Sequence, residues 1–374
     1  MRSKRLRWLV RAEGPFASVY FDDSHDTADA ADELDTRWHD IQKDLVARGA
    51  NAELVDTLKE AVLNHHPAVG RRGRAVIATS GQVLVNEHLI SPPSTTVVRL
   101  SDYPYIVPLI ELEMQRPTYV VAVVDHAGAD ITLYQNDTSS SSSIVGAGYP
   151  VHKPATAGWN GYGDFQRTTE EAIRMNFRAI ADQLTRMVDK AEPEVLFLCG
   201  EVRARSDVIS ELPERVAQRV SPLHAGTRRT GIDSEEIGHL MADEFARRRD
   251  IEITGIADRF EAEIGRGSGL AAEGLAAVCA ALRDGDVDTL MIGELSDATV
   301  VTGKALITVA PDADVLSELG EPVERVARAD EALPFTAIAV GASLVWVDNR
   351  ITPAEGIGAL LRYAATDRLA SQRT

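Results

Sequence analysis

Apolar positions in this chain fall into short dense runs, separated by longer stretches with helical spacing. Phe16–Asp22 (FASVYFD) predicts a strand, followed by helices over Ala28–Ala47 and Ala52–Asn64. Three β-rich runs come next, Arg74–Thr79, Val83–Leu89 and Thr95–Leu100, separated by Ser80-Gly81 and Pro92-Pro93. A proline-spaced stretch from Tyr103 to Pro117 reads as a link. Thr118–Val124 and Ala129–Gln135 predict two strands joined by a turn at Asp125–Gly128, whereas Ser139–Ser143, too polar for core, reads as a mobile loop. Thr168 and Glu171 have capping-box spacing ahead of Ile173, Phe177, Ile180, Leu184 and Met187, which would share one helix face. Glu194–Gly200 predicts a buried strand, and a long helix is expected from Ser234 towards Ile264. Beyond a Gly-rich turn at 265–269, a helix is predicted over Leu270–Arg283, with strands at Val287–Ile292, Thr336–Val340 and Ser343–Val347. Helices alternating with short buried strands make the chain α/β.

Length and charge refine this outline. A chain of 374 residues is enough for two or three domains, each with its own core. Two cysteines, Cys199 and Cys279, exclude a disulfide scaffold and a multi-cysteine zinc module. The opening MRSKRLRWLV has too short an apolar stretch for a signal peptide, and no run reaches the length of a membrane helix. The expected setting is therefore the cytoplasm. Net charge is −18 but unevenly spread. Residues 22–60 hold twelve acids against four bases, and residues 270–340 thirteen against four. Residues 1–21 carry Arg2, Lys4, Arg5, Arg7 and Arg11 against Glu13 alone, and residues 147–229 are close to neutral. A polyanion could approach only the start and the centre.

Most catalytic chemistry finds no support. No zinc-ligand spacing, nucleophile elbow or phosphate-binding loop occurs. Asp22, Asp23 and Asp26 could hold a divalent ion for a nuclease, but read more simply as a turn capping the next helix. Cys199 reads as a buried structural thiol. The distinctive segment is 146–163, GAGYPVHKPATAGWNGYG, which contains no acid. His152 and Lys153 can meet phosphate, and Tyr149, Trp159 and Tyr162 can stack on splayed bases. Its small residues let backbone approach a crowded surface.

Gly158 to Arg178 (GWNGYGDFQRTTEEAIRMNFR) resembles the central domain of the archaeal–eukaryotic class-one peptide-release factors and Pelota. In those proteins a Gly-Gly-Gln loop runs through Phe-x-Arg into a helix bearing Glu-Glu and then Asn-Tyr/Phe. Phe165, Arg167, Glu170-Glu171 and Asn176-Phe177 take those places, with a one-residue slip along the helix. Phe260–Ile264, Ala280–Leu290, Gly341-Ala342 and Leu360–Tyr363 resemble the third domain of the same proteins. The resemblance implies three domains: an α/β N-terminal domain (1–115) on the decoding-centre side, a ribonuclease-H-like central domain (116–264), and an L30e-like α/β/α C-terminal domain (265–374).

Gly158-Trp159-Asn160 falls where Gly-Gly-Gln would be, and no Gly-Gly-Gln occurs in the chain. Within the superfamily this departure is similar to the Balon-type bacterial ribosome-hibernation factors, which lack the catalytic loop. The resemblance implies a non-enzymatic, ribosome-associated protein without cofactor or metal. It would bind the vacant A site of the 70S ribosome, from decoding centre to peptidyl-transferase centre, with elongation factor Tu as partner. No membrane or DNA partner is implied. Contacts with 23S rRNA would come from His152, Lys153, Gly158, Trp159, Asn160, Gly161, Tyr162 and Arg167, and contacts with 16S rRNA from Arg2, Lys4, Arg5 and Arg7. The competing expectation is a peptidyl-tRNA hydrolase or rescue factor that uses the altered loop.

Overall fold

The computed structural model describes residues 6–24, 30–64, 72–112, 118–135, 138–145, 162–224, 234–347 and 350–364. The chain forms two compact units, residues 1–115 together with 251–374, and residues 116–250.

The N-terminal segment is built from β1 (Phe16–Asp22), α1 (Ala30–Ala47), α2 (Ala52–Leu63), β2 (Gly73–Thr79), β3 (Gln82–Leu89), β4 (Val97–Ser101) and the short α3 (Val107–Glu111). Its antiparallel sheet runs β3-β2-β1-β4. Strand alternation sends Ala17, Val19 and Phe21 to one face, where they pack on Trp38, Ile41 and Leu45 of α1 and Leu54, Leu58 and Val62 of α2. Phe16 and Tyr20 face the other way, into the C-terminal segment. One charge is buried deliberately. Arg74, 1% exposed, donates to Ala61 O at 2.6 Å and Asn86 Oδ1 at 2.8 Å, and lies 3.5 Å from the buried Asp23 carboxylate. It thereby ties the end of α2 to β2.

The second unit holds β5 (Tyr119–Asp125), β6 (Gly128–Gln135), β7 (Thr138–Val145), α4 (Tyr162–Ala191), β8 (Val195–Gly200), α5 (Val202–Glu211), α6 (Glu214–Ala217), β9 (Val220–Pro222) and the first part of α7 (Ser234–Arg266). Its sheet runs β7-β6-β5-β8-β9, antiparallel through the two hairpins and parallel from β5 through β8 to β9. That is the strand order of a ribonuclease-H-like sheet. Phe177, Ile180, Leu184 and Val188 of α4 cover one face with Ala204 and Val208 of α5. Ile237 and Met241 of α7 cover the other, where Phe245 meets Tyr119 and Phe197 edge-on.

Two expectations fail here. Ser139–Ser143 form not a loop but most of β7, pairing residue by residue with β6. The strand sits at a sheet edge, so serines need no burial; Ser143 and Ser141 instead bond Asp130 (2.7 Å) and Thr132 (3.0 Å). Helix α4 begins at Tyr162, so Thr168 and Glu171 lie inside it rather than at its cap.

The rest of the first unit comprises the second part of α7, β10 (Ala271–Glu273), α8 (Leu275–Arg283), β11 (Val287–Ile292), β12 (Thr299–Thr302), β13 (Val309–Ala310), α9 (Ala313–Glu318), β14 (Arg325–Arg328), α10 (Ala329–Ala339), β15 (Ser343–Trp346) and β16 (Ile357–Leu361). The sheet β10-β16-β11-β15 lies between α7 on one face and α8 with α10 on the other, an α/β/α sandwich. Gly358 makes the first contact possible, since a Cβ there would stand 3.0 Å from the Phe260 ring of α7. β13-β12-β14 form a separate small sheet.

The helix expected over Leu270–Arg283 splits at Gly274 (φ +79°) into β10 and α8. Thr336–Val340, expected as a strand, is the end of α10 and its cap. An all-apolar run lacks periodicity to separate strand from helix. Here the Thr336 hydroxyl bonds Ala332 O at 2.9 Å, one turn back.

The N- and C-terminal segments, read from sequence as separate domains, share one core. Leu6, Leu9, Tyr103, Ile106 and Leu109 pack with Leu333, Phe335, Ile338 and Leu344. Polar links reinforce the join: Tyr103 donates to Leu306 O at 2.9 Å, Arg325 pairs with Asp102 at 3.0 Å, and Arg99 lies 3.5 Å from the Glu331 carboxylate. Burial pushes the Glu331 carboxyl above its usual range, while a hydrogen bond from Ser101 and the charge of Arg99 oppose the shift.

Candidate nucleic-acid interface

The acid-free segment belongs to the connection from β7 to α4, and the structure defines both of its anchors. β7 ends at Val145, opposite Gly128 at the β5–β6 turn. That turn is held by Asp125, whose Oδ1 accepts from Ala127 N and Gly128 N, each at 2.8 Å. From the other side, Asn176 of α4 donates through Nδ2 to His126 O at 3.1 Å. Asn176 is 3% exposed and the next residue, Phe177, is in the core. The Asn-Phe pair of the motif is therefore a structural clasp, whereas Glu170 and Glu171 are exposed. Residues 162–171 form roughly 15 Å of helix ahead of the buried Ala172, at a 1.5 Å rise.

The same end of the sheet carries the C-terminal ends of the parallel strands β5, β8 and β9, where α/β sheets gather their binding sites. Gly200 closes β8 with φ +123°, and a Cβ there would fall 2.1 Å from Val124 O. Only glycine permits this approach. Beyond it, buried Arg205 donates to Leu223 O and contacts His224 Nδ1 at 2.9 Å, fixing the residues after β9. Arg174 and Arg178, 67% and 56% exposed, lie 3.6 and 3.2 Å from Glu211 and join α4 to α5. Arg203 is 93% exposed. Arg174 and Arg178 thus follow the exposed Glu170 and Glu171 along α4, and both are held by Glu211.

The residues singled out from sequence are distributed as follows. Tyr162 and Arg167 lie in the first turns of α4. His152, Lys153, Gly158, Trp159, Asn160 and Gly161, like Arg2, Lys4 and Arg5, lie outside the described residues. Arg7 is in a 3-10 turn (Arg7–Arg11) between buried Leu6 and Leu9, with its guanidinium 3.1 Å from where a Gly341 Cβ would be. It packs on the end of α10, a contact within its own unit. Sequence reading missed Gly200, Arg205 and His224; the small residue ending a buried strand was the available signal for the first.

Alternative chemistries find little here. Asp23 faces Arg74, and Asp22 accepts from the Ser24 amide at 2.9 Å and hydroxyl at 2.5 Å. Asp26 lies outside the described residues, among which no three metal-ligating side chains converge. Burial pushes the Cys199 thiol up to about 11 and Cys279 up to about 12, so neither is a thiolate at neutral pH. No helix among the described residues is long and apolar enough to cross a membrane.

The central sheet is ribonuclease-H-like, and the long connection from β7 to α4 leaves it at the clasped end. Residues 118–266 match the model of bacterial archaeo-eukaryotic release factor family 2. The whole chain belongs to one family with Rv2629 and MT2704 of Mycobacterium tuberculosis, to each of which it is 71% identical over 374 residues, covering 100% of both chains. Among solved structures it is similar to the archaeal translation termination factor aRF1 (15% identity, 97% of this chain and 99% of that one, TM-score 0.27). It is also similar to Archaeoglobus fulgidus Pelota (12%, 96% and 92%, TM-score 0.37) and to archaeal Pelota in a ribosome-bound model with ABCE1 (17%, 97% and 94%, TM-score 0.42).

Proposed function

We propose that this protein is a ribosome-hibernation factor of the Balon type, occupying the vacant A site of idle 70S ribosomes without chemistry. The observation that carries the reading is the release-factor match over 118–266 combined with Gly158-Trp159-Asn160 in place of Gly-Gly-Gln. A glutamine that positions water at an ester needs placement within a fraction of an ångström. Asn160 is one methylene short, and Trp159 is bulky where the backbone must pass closely. Docking needs neither residue to be catalytic.

In this reading the segment carrying His152, Lys153, Trp159, Asn160 and Tyr162 meets 23S rRNA, with Gly158 and Gly161 allowing close approach and Arg167 following at the helix start. Arg2, Lys4 and Arg5 serve 16S rRNA; the packing of Arg7 on α10 makes it the weakest member of that group. The acidic C-terminal segment faces protein, with elongation factor Tu as delivery partner.

The test is cosedimentation of the full chain with purified 70S ribosomes, with and without tRNA in the A site. Binding to empty ribosomes that weakens steeply with salt is expected. Absence of binding at low salt, or binding indifferent to A-site tRNA, would overturn the reading. Release of peptide from peptidyl-tRNA at the rate of a dedicated factor would favour a hydrolase instead.

A further inference from the structure

We propose that the groove between α1 and the outer edge of β4 binds an extended lysine- or arginine-rich polypeptide segment by strand addition. β4 is terminal in its sheet. Phe16–Tyr20 of β1 pair with it on one side, and among the described residues no strand lies on the other. Such an edge offers an amide or carbonyl to any extended chain that can reach it, and natural edges are usually guarded by charge or proline. The single charge on β4, Arg99, does not guard it. Its guanidinium is turned into the body of the unit, 3.5 Å from Glu331, 3.6 Å from Asp330 and 4.7 Å over the Tyr105 ring.

The occupant follows from what lies beside the edge. A groove of about 600 Å³ runs between the strand and α1, lined by Thr96 and Val98 on one side and Glu33, Arg37, Asp40 and Asp44 on the other. Arg37 is occupied by the Asp22 carbonyl, and Asp44 by Arg48 at 3.0 Å. Glu33 and Asp40 are exposed and have no ion pair among the described residues. A strand added to β4 would place every second side chain against these carboxylates. Cationic side chains at alternate positions fit; a nucleic acid would be repelled. This surface lies outside residues 118–266, which carry the release-factor match, and the proposal stands whether or not the segment 146–163 meets rRNA.

The test uses the full-length protein and a fluorescent seven-residue peptide alternating lysine and valine. Binding is expected, and replacing its lysines by glutamate should abolish it. N-methylation of alternate amides on one edge of the peptide should weaken binding roughly 10-fold or more, because it removes about two hydrogen bonds to β4. The same modification on the other edge should leave affinity unchanged. Glu33→Gln with Asp40→Asn, both exposed, should lower affinity roughly 3- to 10-fold at unaltered melting temperature. No binding at millimolar peptide, equal effects of methylation on the two edges, or indifference to the double substitution would each overturn the proposal.

Discussion

Asn176 reaches from α4 to the β5–β6 turn, where its Nδ2 donates to the carbonyl oxygen of His126 at 3.1 Å. This bond ties the middle of the long helix to the end of the sheet from which the candidate segment departs. Replacing Asn176 by Ala removes this donor from the carbonyl of half-buried His126, at a cost of about 1 kcal/mol. Thermal unfolding should show the loss, and ribosome affinity of the folded protein should fall with it. Normal affinity in a destabilised variant would separate the clasp from the binding segment.

Trp159→Ala or Tyr162→Ala should weaken ribosome binding without lowering the melting temperature, if the rings stack on bases. Stacking worth ~1–3 kcal/mol per base corresponds to a loss of roughly 5- to 150-fold. Should the rings pack on their own domain, calorimetry will instead register a lower melting temperature while affinity in the folded fraction stays put.

Lys153→Ala should reduce the slope of log affinity against log salt by about one unit, as loss of one phosphate contact requires. Titration at several salt concentrations measures this directly; an unchanged slope would assign Lys153 to solvent.

Arg74→Ala should be among the most damaging single changes in the first unit. It removes the guanidinium from beside the buried Asp23 carboxylate, where His88 at 3.4 Å remains, and releases the Ala61 carbonyl; breaking a buried pair typically costs about 3–5 kcal/mol. Chemical denaturation should record a shift of that order, with Arg74→Lys recovering only part of it because a single ammonium cannot reach both Ala61 and Asn86.

The two thiols set a pH dependence. Their folded pKa values, about 11 for Cys199 and about 12 for Cys279, lie above the ordinary thiol value because burial disfavours the thiolate. The folded protein therefore binds more protons than the unfolded chain above about pH 8.5, and stability falls as pH rises from there. Alkylation of both cysteines should be slow in native protein at pH 8 and fast in denaturant; rapid native labelling would contradict their burial.

Several features were legible in the residues alone, because their signals are local. The buried runs at Phe16–Asp22, Thr118–Val124 and Glu194–Gly200 became strands, and the spacing from Ile173 to Met187 marked the covered face of α4. The acid-free composition of 146–163 and the loss of Gly-Gly-Gln needed no coordinates either. Other features depend on partners distant in sequence. Five serines became a strand only because β6 supplies a ladder at a sheet edge where no burial is required. Thr336–Val340 became helix because the apolar run is enclosed on all sides, which erases the periodicity that would have distinguished it. The shared core of residues 1–115 and 251–374, the turning of Arg99 towards Glu331, and the Asn176 clasp all join residues far apart along the chain. Local pattern sets which segments are apolar enough to bury, but burial partners and hydrogen-bond acceptors are chosen only when the chain folds back on itself.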